Sequence, residues 1–171
     1  MKNLSVLLRF CLVFLVLISC KESEEDRRQK AIELMTTQTL GLAYLEELKL
    51  DEAEGEFQKY IKLSPEDKVG YANLGLVFLR MGKYEEAQGQ LEKAHSMDKQ
   101  DPDISLLLAT VYRLQGERTK SIELLEQTLK DSPDHPKVLF DLCELYSTES
   151  DEESITKRLG YLSRLAINTP G

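Results

Sequence analysis

The chain has 171 residues, of which 42% are apolar and 30% are charged, so it is neither a disordered chain nor a wholly membrane-embedded one. Its 22 basic and 30 acidic residues give a net charge of -8. Because nucleic-acid binding depends on clustered basic side chains, this acidic balance excludes nucleic acid as the expected partner. One modest soluble domain is the starting prediction.

The first 19 residues have the anatomy of a secretory signal. Lys2 and Arg9 supply a basic start, and residues 10–18 form the uninterrupted apolar run FCLVFLVLI. The run is far shorter than the roughly 20 residues that a membrane-spanning helix needs. We therefore predict a cleaved signal peptide over residues 1–19 rather than a membrane span.

The junction Leu17-Ile18-Ser19-Cys20 resembles the signal of bacterial lipoproteins, in which Leu stands three residues before an invariant Cys and a small residue precedes that Cys. The resemblance implies that Cys20 is acylated and becomes the new N-terminus, and two or more acyl chains anchor a protein stably at a membrane. Lys21 replaces the Asp that causes inner-membrane retention in the best-known bacteria, so we expect the outer membrane of the cell envelope. The alternative is a signal anchor or an ordinary secreted protein in which Cys20 is incidental.

Residues 21–30, KESEEDRRQK, are almost entirely polar. With Cys20 they form a predicted tether, residues 20–30, ahead of a folded domain at residues 31–168. Fully extended, the tether spans about 35 Å at ~3.5 Å per residue, so the folded part would stay near the bilayer. Its acids have neither the Gly turn nor the ligand spacing of a calcium loop, which favours a solvated segment over a metal site.

A pattern of apolar residues recurs along the rest of the chain at a spacing of 34. Each copy places a small residue three positions before an aromatic one, which puts both on one helical face and lets a second helix approach the small residue. The four pairs are Gly41 and Tyr44, Gly75 and Phe78, Ala109 and Tyr112, and Cys143 and Tyr146. A second pattern follows them as Ala53-x3-Phe57, Ala87-x3-Leu91, Ser121-x3-Leu125 and Ile155-x3-Leu159.

These patterns resemble the tetratricopeptide repeat, a helix-turn-helix unit of 34 residues. The resemblance implies an all-α fold, a right-handed α-solenoid of about four repeats at residues 34–67, 68–101, 102–135 and 136–169. Within it we predict helices at residues 25–48, 51–63, 67–81, 84–97, 102–115, 118–131, 135–148 and 152–168. Ser64-Pro65, Asp101-Pro102 and Ser132-Pro133 place a capping side chain before Pro near the starts of first helices.

The fourth repeat departs from the pattern, because Ile155 stands where a small residue is expected. The last helix also carries a long apolar stripe made of Ile155, Leu159, Leu162 and Leu165. Two readings of this stripe stay open. It either packs back on helix 135–148, or it forms a surface for a partner or for a homodimer through the C-terminal helix.

Candidate catalytic groups are sparse. His95 and His135 lie in different repeats and neither belongs to a metal or nucleophile motif, so we predict exposed histidines at helix ends. Cys143 is interpreted as a small buried residue at a helix contact. No Gly-rich phosphate loop is present in the sequence. We predict a protein that is not an enzyme and has no catalytic residue, metal or cofactor.

Binding is the function that the resemblance supports. In tetratricopeptide arrays the first helices of successive repeats line a concave groove. The residues carried over to groove positions here are Gln38, Leu42, Leu45, Glu46, Ala72, Asn73, Leu76, Leu79, Arg80, Leu106, Thr110, Arg113, Lys137, Phe140 and Glu144. The carboxylate clamp of chaperone-binding members is not expected, because Gln38, Leu42 and Asp103 replace basic and amide residues that it requires. Several of the leucines are alternatively core between repeats.

This groove is mainly apolar, with Arg80 and Arg113 at its edge, so an amphipathic helix or extended segment with an acid opposite each Arg would fit it. We therefore predict a membrane-anchored adaptor or scaffold of an envelope complex, such as pilus or secretin assembly, cell-wall hydrolase recruitment or outer-membrane assembly. One alternative is a surface-exposed lipoprotein that binds host or neighbouring-cell proteins. Another is an accessory subunit of an enzyme.

Overall fold

The structure, a computed structural model, describes residues 23–168. The predicted signal peptide and the predicted lipidation residue Cys20 lie outside the described residues. The described chain forms α-helices and no strand: α1 (Glu24–Glu46), α2 (Leu50–Leu63), α3 (Lys68–Met81), α4 (Tyr84–Met97), α5 (Pro102–Leu114), α6 (Arg118–Asp131), α7 (Pro136–Leu145) and α8 (Glu152–Asn168). The all-α prediction is confirmed.

Two compact units divide the chain between residues 36 and 37, inside α1. In the described part of the first unit, Ser23 and Asp26 cap the start of α1 reciprocally. The amide of Asp26 donates to Ser23 Oγ over 3.0 Å, and the amide of Ser23 donates to Asp26 Oδ2 over 3.2 Å. Both amides would otherwise lack a partner at the helix start, so this capping box stabilises the first turn.

The second unit, residues 37–168, contains the helix pairs. From α2 onward each helix packs against the next along the chain, and the first helices α3, α5 and α7 also contact one another in sequence. The pairs are α3 with α4, α5 with α6 and α7 with α8, and α2 packs against α3 from the preceding pair. This sequential stacking is the predicted α-solenoid of helix pairs.

The helix starts depend on capping side chains directly before the first turn. Asp101 caps α5 as predicted, accepting backbone amides of that turn. The predicted caps Ser64 and Ser132 are wrong, because α3 and α7 begin three or more residues later. Asp67 and His135, which immediately precede those helices, accept the first-turn amides instead.

The small residues of the first helices are required by close packing within each pair. A Cβ atom on Gly41 would lie 2.8 Å from the ring of Phe57, and one on Gly75 would lie 2.6 Å from Cγ of Leu91. Both partner side chains are fully buried. Small residues therefore recur every 34 residues because two helices approach each other too closely there for a larger side chain on one of them.

Helix α8 does not follow this spacing. In the preceding second helices the pattern residues are all buried, namely Ala53, Phe57, Ala87, Leu91, Ser121 and Leu125. At the same spacing on α8, Ile155 is 45% exposed and Leu159 is 61% exposed. Ser154, one position earlier, is buried instead. The prediction that Ile155 and Leu159 are the packing residues of the fourth repeat is wrong, because the helix is turned by one residue, about 100°.

The two last helices approach each other closely beside Cys143. Sγ of Cys143 on α7 lies 3.9 Å from the carbonyl oxygen of Arg158 on α8. Ser154 is buried on α8, whereas Ile155 is exposed. The 3-10 helix Tyr146–Thr148 and the polar linker after it connect α7 to α8. This connection accommodates a shift of one residue in which side chains of α8 face α7.

The apolar stripe of α8 is consequently divided. Leu165 packs into the core together with Tyr161, as one of the two readings predicted. Ile155, Leu159 and Leu162 do not, and Leu162 is 41% exposed. The prediction that the stripe packs back on α7 is wrong for these three residues.

Candidate functional site

The residues assigned to the groove separate by burial. Leu45 belongs to the hydrophobic core and is 4% exposed, so it offers a partner almost no surface. Leu106 is also a core residue at 8% exposure, although its edge lines a surface pocket. The other residues reach the surface. Half-buried are Gln38, Ala72, Asn73, Leu76, Leu79 and Thr110, and exposed are Leu42, Glu46, Arg80, Arg113, Lys137, Phe140 and Glu144.

A pocket of about 270 Å³ lies between the first helices α5 and α7. Its walls are Asp103, Leu106, Leu107, Thr110, Lys137 and Asp141. Leu106, Thr110 and Lys137, three of the residues assigned to the groove from the sequence, line this pocket together. The sequence prediction did not assign Asp103, Leu107 or Asp141 to the groove.

Asp141 has a recognisable signal in the sequence. It lies at twice the repeat spacing from Asn73, and Leu107 occupies the position between them. Asn73 is assigned to the groove because tetratricopeptide repeats often have an asparagine at this position. The next two repeats have Leu107 and Asp141 there, so a search for asparagine does not find them. Applying the spacing to the position rather than to the residue type identifies both pocket residues.

The carboxylate of Asp141 is half-buried and lacks a donor. Burial raises the pKa of its carboxyl group, Arg113 and Lys137 act in the opposite direction without cancelling this effect, and Glu144 raises the pKa further. No other residue within 23–168 donates a hydrogen bond to it. Its oxygens are not among the buried atoms without a partner, so a donor supplied by another molecule would replace water at this carboxylate.

A second, narrow pocket adjoins the first. Asp141 and Thr110 line both of them, and Arg113 and Glu144 contribute to the second. Arg113 and Glu144 are both exposed. The wall of the pocket beside Asp141 therefore has one positive and one negative side chain that are accessible to solvent or to a partner. The arrangement suits a segment that carries an apolar side chain and a hydrogen-bond donor.

A larger open pocket of about 510 Å³ lies between the second helices α4 and α6. His95 lines it, and burial lowers the pKa of this imidazole, with Lys99 acting in the same direction. The prediction that His95 and His135 are exposed is wrong, because both are half-buried. His135 has a structural task, since its Nδ1 accepts the amide of Val138 at the start of α7.

Neither a metal centre nor a bilayer span is found among the described residues. Within residues 23–168, no group of three or more His, Cys, Asp or Glu side chains is placed to hold a metal ion. None of the helices in that same range is long and apolar enough to cross a bilayer.

Family models for the tetratricopeptide repeat match residues 56–89 and residues 78–138. Residues 56–138 of the chain contain tetratricopeptide repeats. The matches together cover the region from α2 to the start of α7, where the small residues and their partners keep the spacing of 34. Tetratricopeptide repeats generally mediate protein–protein interaction, and their fold is typically a scaffold without enzymatic activity.

Solved structures show the same fold. A crystal structure of MamA is 20% identical over 78% of this chain and 77% of that chain, with a TM-score of 0.68. A thermophilic TPR protein of Thermus thermophilus is 20% identical over 86% of this chain and 79% of that chain, with a TM-score of 0.69. The TPR2B domain of yeast Sti1, solved as a pHsp70 complex, is 18% identical over 78% of this chain and 98% of its own, with a TM-score of 0.57. No curated protein matches the sequence.

Proposed function

We propose that this chain is a membrane-anchored adaptor that holds a segment of another envelope protein against the first helices α3, α5 and α7. The environment of Asp141 supports the binding function. The carboxylate of Asp141 stands in the wall of the pocket between α5 and α7, half-buried and without a donor from the described residues. A partner segment would supply that donor.

The pocket also specifies the apolar part of the segment. Leu106 and Leu107 line it, and Phe140, the neighbour of Asp141 in sequence, is 54% exposed. Phe140 is not part of the pocket wall, and as an exposed aromatic residue on the same helix it is a candidate anchor for the segment. An apolar side chain of the partner would bury surface here at about 25 cal/mol per Å², while an N–H, Lys or Arg group reached Asp141.

Two exposed cations would orient the segment. Arg80 on α3 and Arg113 on α5 occupy the predicted groove positions, and both side chains are accessible. Exposed ion pairs contribute little to affinity, about 0–1 kcal/mol each, but they speed association and select the direction of the bound segment. Acids on the partner opposite these residues would complete its chemistry: an apolar anchor, a donor and one or two acids.

The anchoring part of the proposal is supported by the lipoprotein-like junction at Cys20 and by the polar tether after it. Only three residues separate Cys20 from the start of α1 at Glu24, so the predicted tether is mostly helical and the start of α1 would lie close to the bilayer. Lys21 favours the outer membrane. Pilus or secretin assembly, cell-wall hydrolase recruitment and outer-membrane assembly are the envelope processes in which such an adaptor would act.

Affinity capture from cross-linked, solubilised membranes tests the groove. The two informative variants are Phe140→Ser, which removes the apolar anchor, and Asp141→Asn, which keeps the shape of the side chain and removes its charge. Asp131→Asn, at the exposed end of α6, is the matched control. We expect the proteins captured by the wild-type chain to be lost or reduced at least tenfold with the groove variants and retained with the control. Equal capture by all four chains would show that this surface is not the binding site.

Protease treatment of intact cells tests the side of the membrane. If the adaptor faces the periplasm, the folded domain is protected until the outer membrane is opened. Digestion in intact cells would instead favour the surface-exposed alternative, in which the same groove meets host or neighbouring-cell proteins.

A further inference from the structure

The open pocket of about 510 Å³ between α4 and α6 combines an apolar part with polar side chains. Leu108 of α5, which is buried, and Leu124 of α6, which is half-buried, form its apolar part together with the ring of Tyr112. The pocket lies on the second helices, whereas the pocket beside Asp141 lies between the first helices α5 and α7. We call it the α4–α6 site.

The next junction along the chain, between α6 and α8, shows how the equivalent region is filled. There the hydroxyl of Tyr146 donates to Oε1 of Glu126 over 2.9 Å, and the hydroxyl of Tyr161 on α8 donates to the same oxygen over 3.1 Å. The centroids of the two rings lie 6.2 Å apart, within the range of an aromatic pair. Two tyrosines thus share one carboxylate at this junction.

The α4–α6 site has the first of these two tyrosines and lacks the second. The hydroxyl of Tyr112 donates to Oε1 of Glu92 over 3.0 Å, as Tyr146 does to Glu126. No residue of α6 that lines the site is aromatic, and these residues are Lys120, Glu123, Leu124 and Gln127. The space beside Tyr112 therefore stays open, and it suits an aromatic ring with a hydroxyl that reaches Glu92.

His95 is a second unusual feature of the site. The residues one repeat before and after it are apolar: Ile61 packs against the core, and Leu129 is a core residue at 8% exposure. His95 is half-buried in the wall of the site. Burial lowers the pKa of its imidazole, and no hydrogen bond from residues 23–168 acts on it. Its ring is consequently available to a ligand.

Lys99 places a positive charge next to this imidazole. It is exposed just after the end of α4, and its charge acts on His95. Lys120, the other lysine of the site, lies 2.8 Å from a carboxylate oxygen of Glu117, whereas Lys99 forms no ion pair within residues 23–168. Glu123 carries the opposite charge on the α6 side. An acid of a ligand is therefore expected on the α4 side, between Lys99 and His95.

We infer that the α4–α6 site binds an extended segment of another protein that carries a tyrosine and an Asp or Glu about three residues away from it. The tyrosine would lie beside Tyr112 and donate to Glu92, and the acid would reach Lys99. Seven positions separate Glu92 from Lys99, about 10 Å along a helix. An extended chain covers that distance in about three residues, at ~3.3 Å each.

The shape of the site favours a protein segment over a small molecule. Small-molecule sites enclose most of the ligand surface, whereas this pocket is open to solvent. The inference goes beyond the adaptor function proposed above and does not depend on the pocket beside Asp141. A chain with both sites would connect two different proteins.

NMR spectroscopy of the full chain in detergent micelles tests the site with the synthetic peptide acetyl-Gly-Tyr-Gly-Ser-Asp-Gly-amide. The chain has two histidines, so the ring signal of His95 is assigned by its loss in His95→Gln. We expect the peptide to shift this signal to saturation and to leave the ring signal of His135 in place. Peptides with Phe in place of Tyr, or Asn in place of Asp, should bind at least threefold more weakly.

Two variants of the chain locate the contact. Lys99→Glu reverses the charge that faces the acid and should weaken binding at least tenfold. Gln127→Tyr introduces an aromatic ring from α6, as Tyr161 does from α8, and should prevent binding and raise the melting temperature. Lys62→Glu, at an exposed lysine of α2, makes the same charge change outside the site and should bind the peptide like the wild type.

Circular dichroism verifies that the variants keep their helical content, and Lys99→Glu decides the question if Gln127→Tyr does not fold. The inference would be overturned if millimolar peptide gave no saturable shift of the His95 signal, or if the Phe and Asn peptides bound as well as the original. Unchanged binding by Lys99→Glu would have the same consequence. So would an equal loss in Lys62→Glu, which would indicate an effect of net charge alone.

Discussion

The hydroxyl of Tyr60 donates a 2.6 Å hydrogen bond to Oδ2 of Asp67, while Oδ1 of the same carboxylate accepts the amide of Val69. One aspartate thus closes the end of α2 onto the start of α3. Removing it in Asp67→Ala takes away the helix cap and leaves the buried tyrosine hydroxyl without its acceptor. We expect a loss of about 1–3 kcal/mol in the free energy of unfolding, measured by urea denaturation. A loss no larger than that of Asp67→Asn, which keeps an acceptor, would contradict this account.

The same contact gives the protein an alkaline limit. Burial, and then the hydrogen bond and charge of Asp67, raise the pKa of Tyr60 to about 12. Because the folded state binds this proton more tightly than the unfolded state, whose tyrosine pKa is about 10, the contribution is present below pH ~10 and is lost as the pH rises toward 12. We expect the urea midpoint of the wild type to fall across that window and to fall less steeply in Tyr60→Phe. Identical slopes would refute the assignment.

Close helix packing at Gly75 predicts a sharp contrast between two glycines. Gly75→Ala would place a Cβ atom 2.6 Å from the fully buried Leu91, so we expect a loss of about 1–3 kcal/mol in the free energy of unfolding. Gly89→Ala is the matched control, because a Cβ at that helical position meets no atom within 4 Å. It should gain about 0.5–1 kcal/mol from the better helix propensity of Ala. Chemical denaturation of both variants measures the difference.

We expect Asp141→Asn to increase the stability of the fold and to weaken partner binding. The raised pKa of Asp141 means that the folded state disfavours its ionised form, a penalty that is absent at low pH and grows as the pH rises from the ordinary aspartate value through the raised one. The neutral amide should therefore raise the melting temperature near pH 7 and leave it unchanged near pH 3, while partner capture falls. Thermal melts of the two chains at both pH values make the comparison. A lower melting temperature near pH 7 would mean that Asp141 has a stabilising partner.

Lipid attachment gives a prediction for a residue outside the described range. Cells supplied with radiolabelled palmitate should incorporate label into the wild-type chain and into Cys143→Ala, because Cys143 is buried at a helix contact. Cys20→Ala should carry no label and should leave the membrane fraction. Label that persists in Cys20→Ala would refute lipidation at this position.

The sequence predicts the internal repeats well because their spacing records close contacts that tolerate little variation. Gly41 and Gly75 touch their partner helices, and the helix bounds from α1 to α6 agree with the predictions to within one or two residues. Prediction fails where several geometries satisfy the same pattern. At α8 the apolar residues fit either of two helix rotations, and the periodicity of the sequence does not distinguish them.

The sequence predicts only in part which residues of the first helices reach the surface. The carried-over positions on α3, α5 and α7 find surface residues such as Arg80, Thr110 and Phe140. They also include Leu45, because a first helix is covered by neighbours on two sides and its boundary between core and surface depends on the local crossing of helices. Sequence reasoning misses Asp141 because its importance lies in a missing donor, and donors are properties of the folded environment.

The offset at α8 also bears on how such a chain can grow by duplication. A copied helix pair inserted between α4 and α5 would meet matching chemistry at both of its borders, since Glu92 and Glu126 each accept a hydroxyl from the pair that follows. A pair copied and added after α8 would meet Leu159 instead, and its tyrosine would lose its acceptor. New modules of this kind are therefore accommodated inside the array more readily than beyond α8.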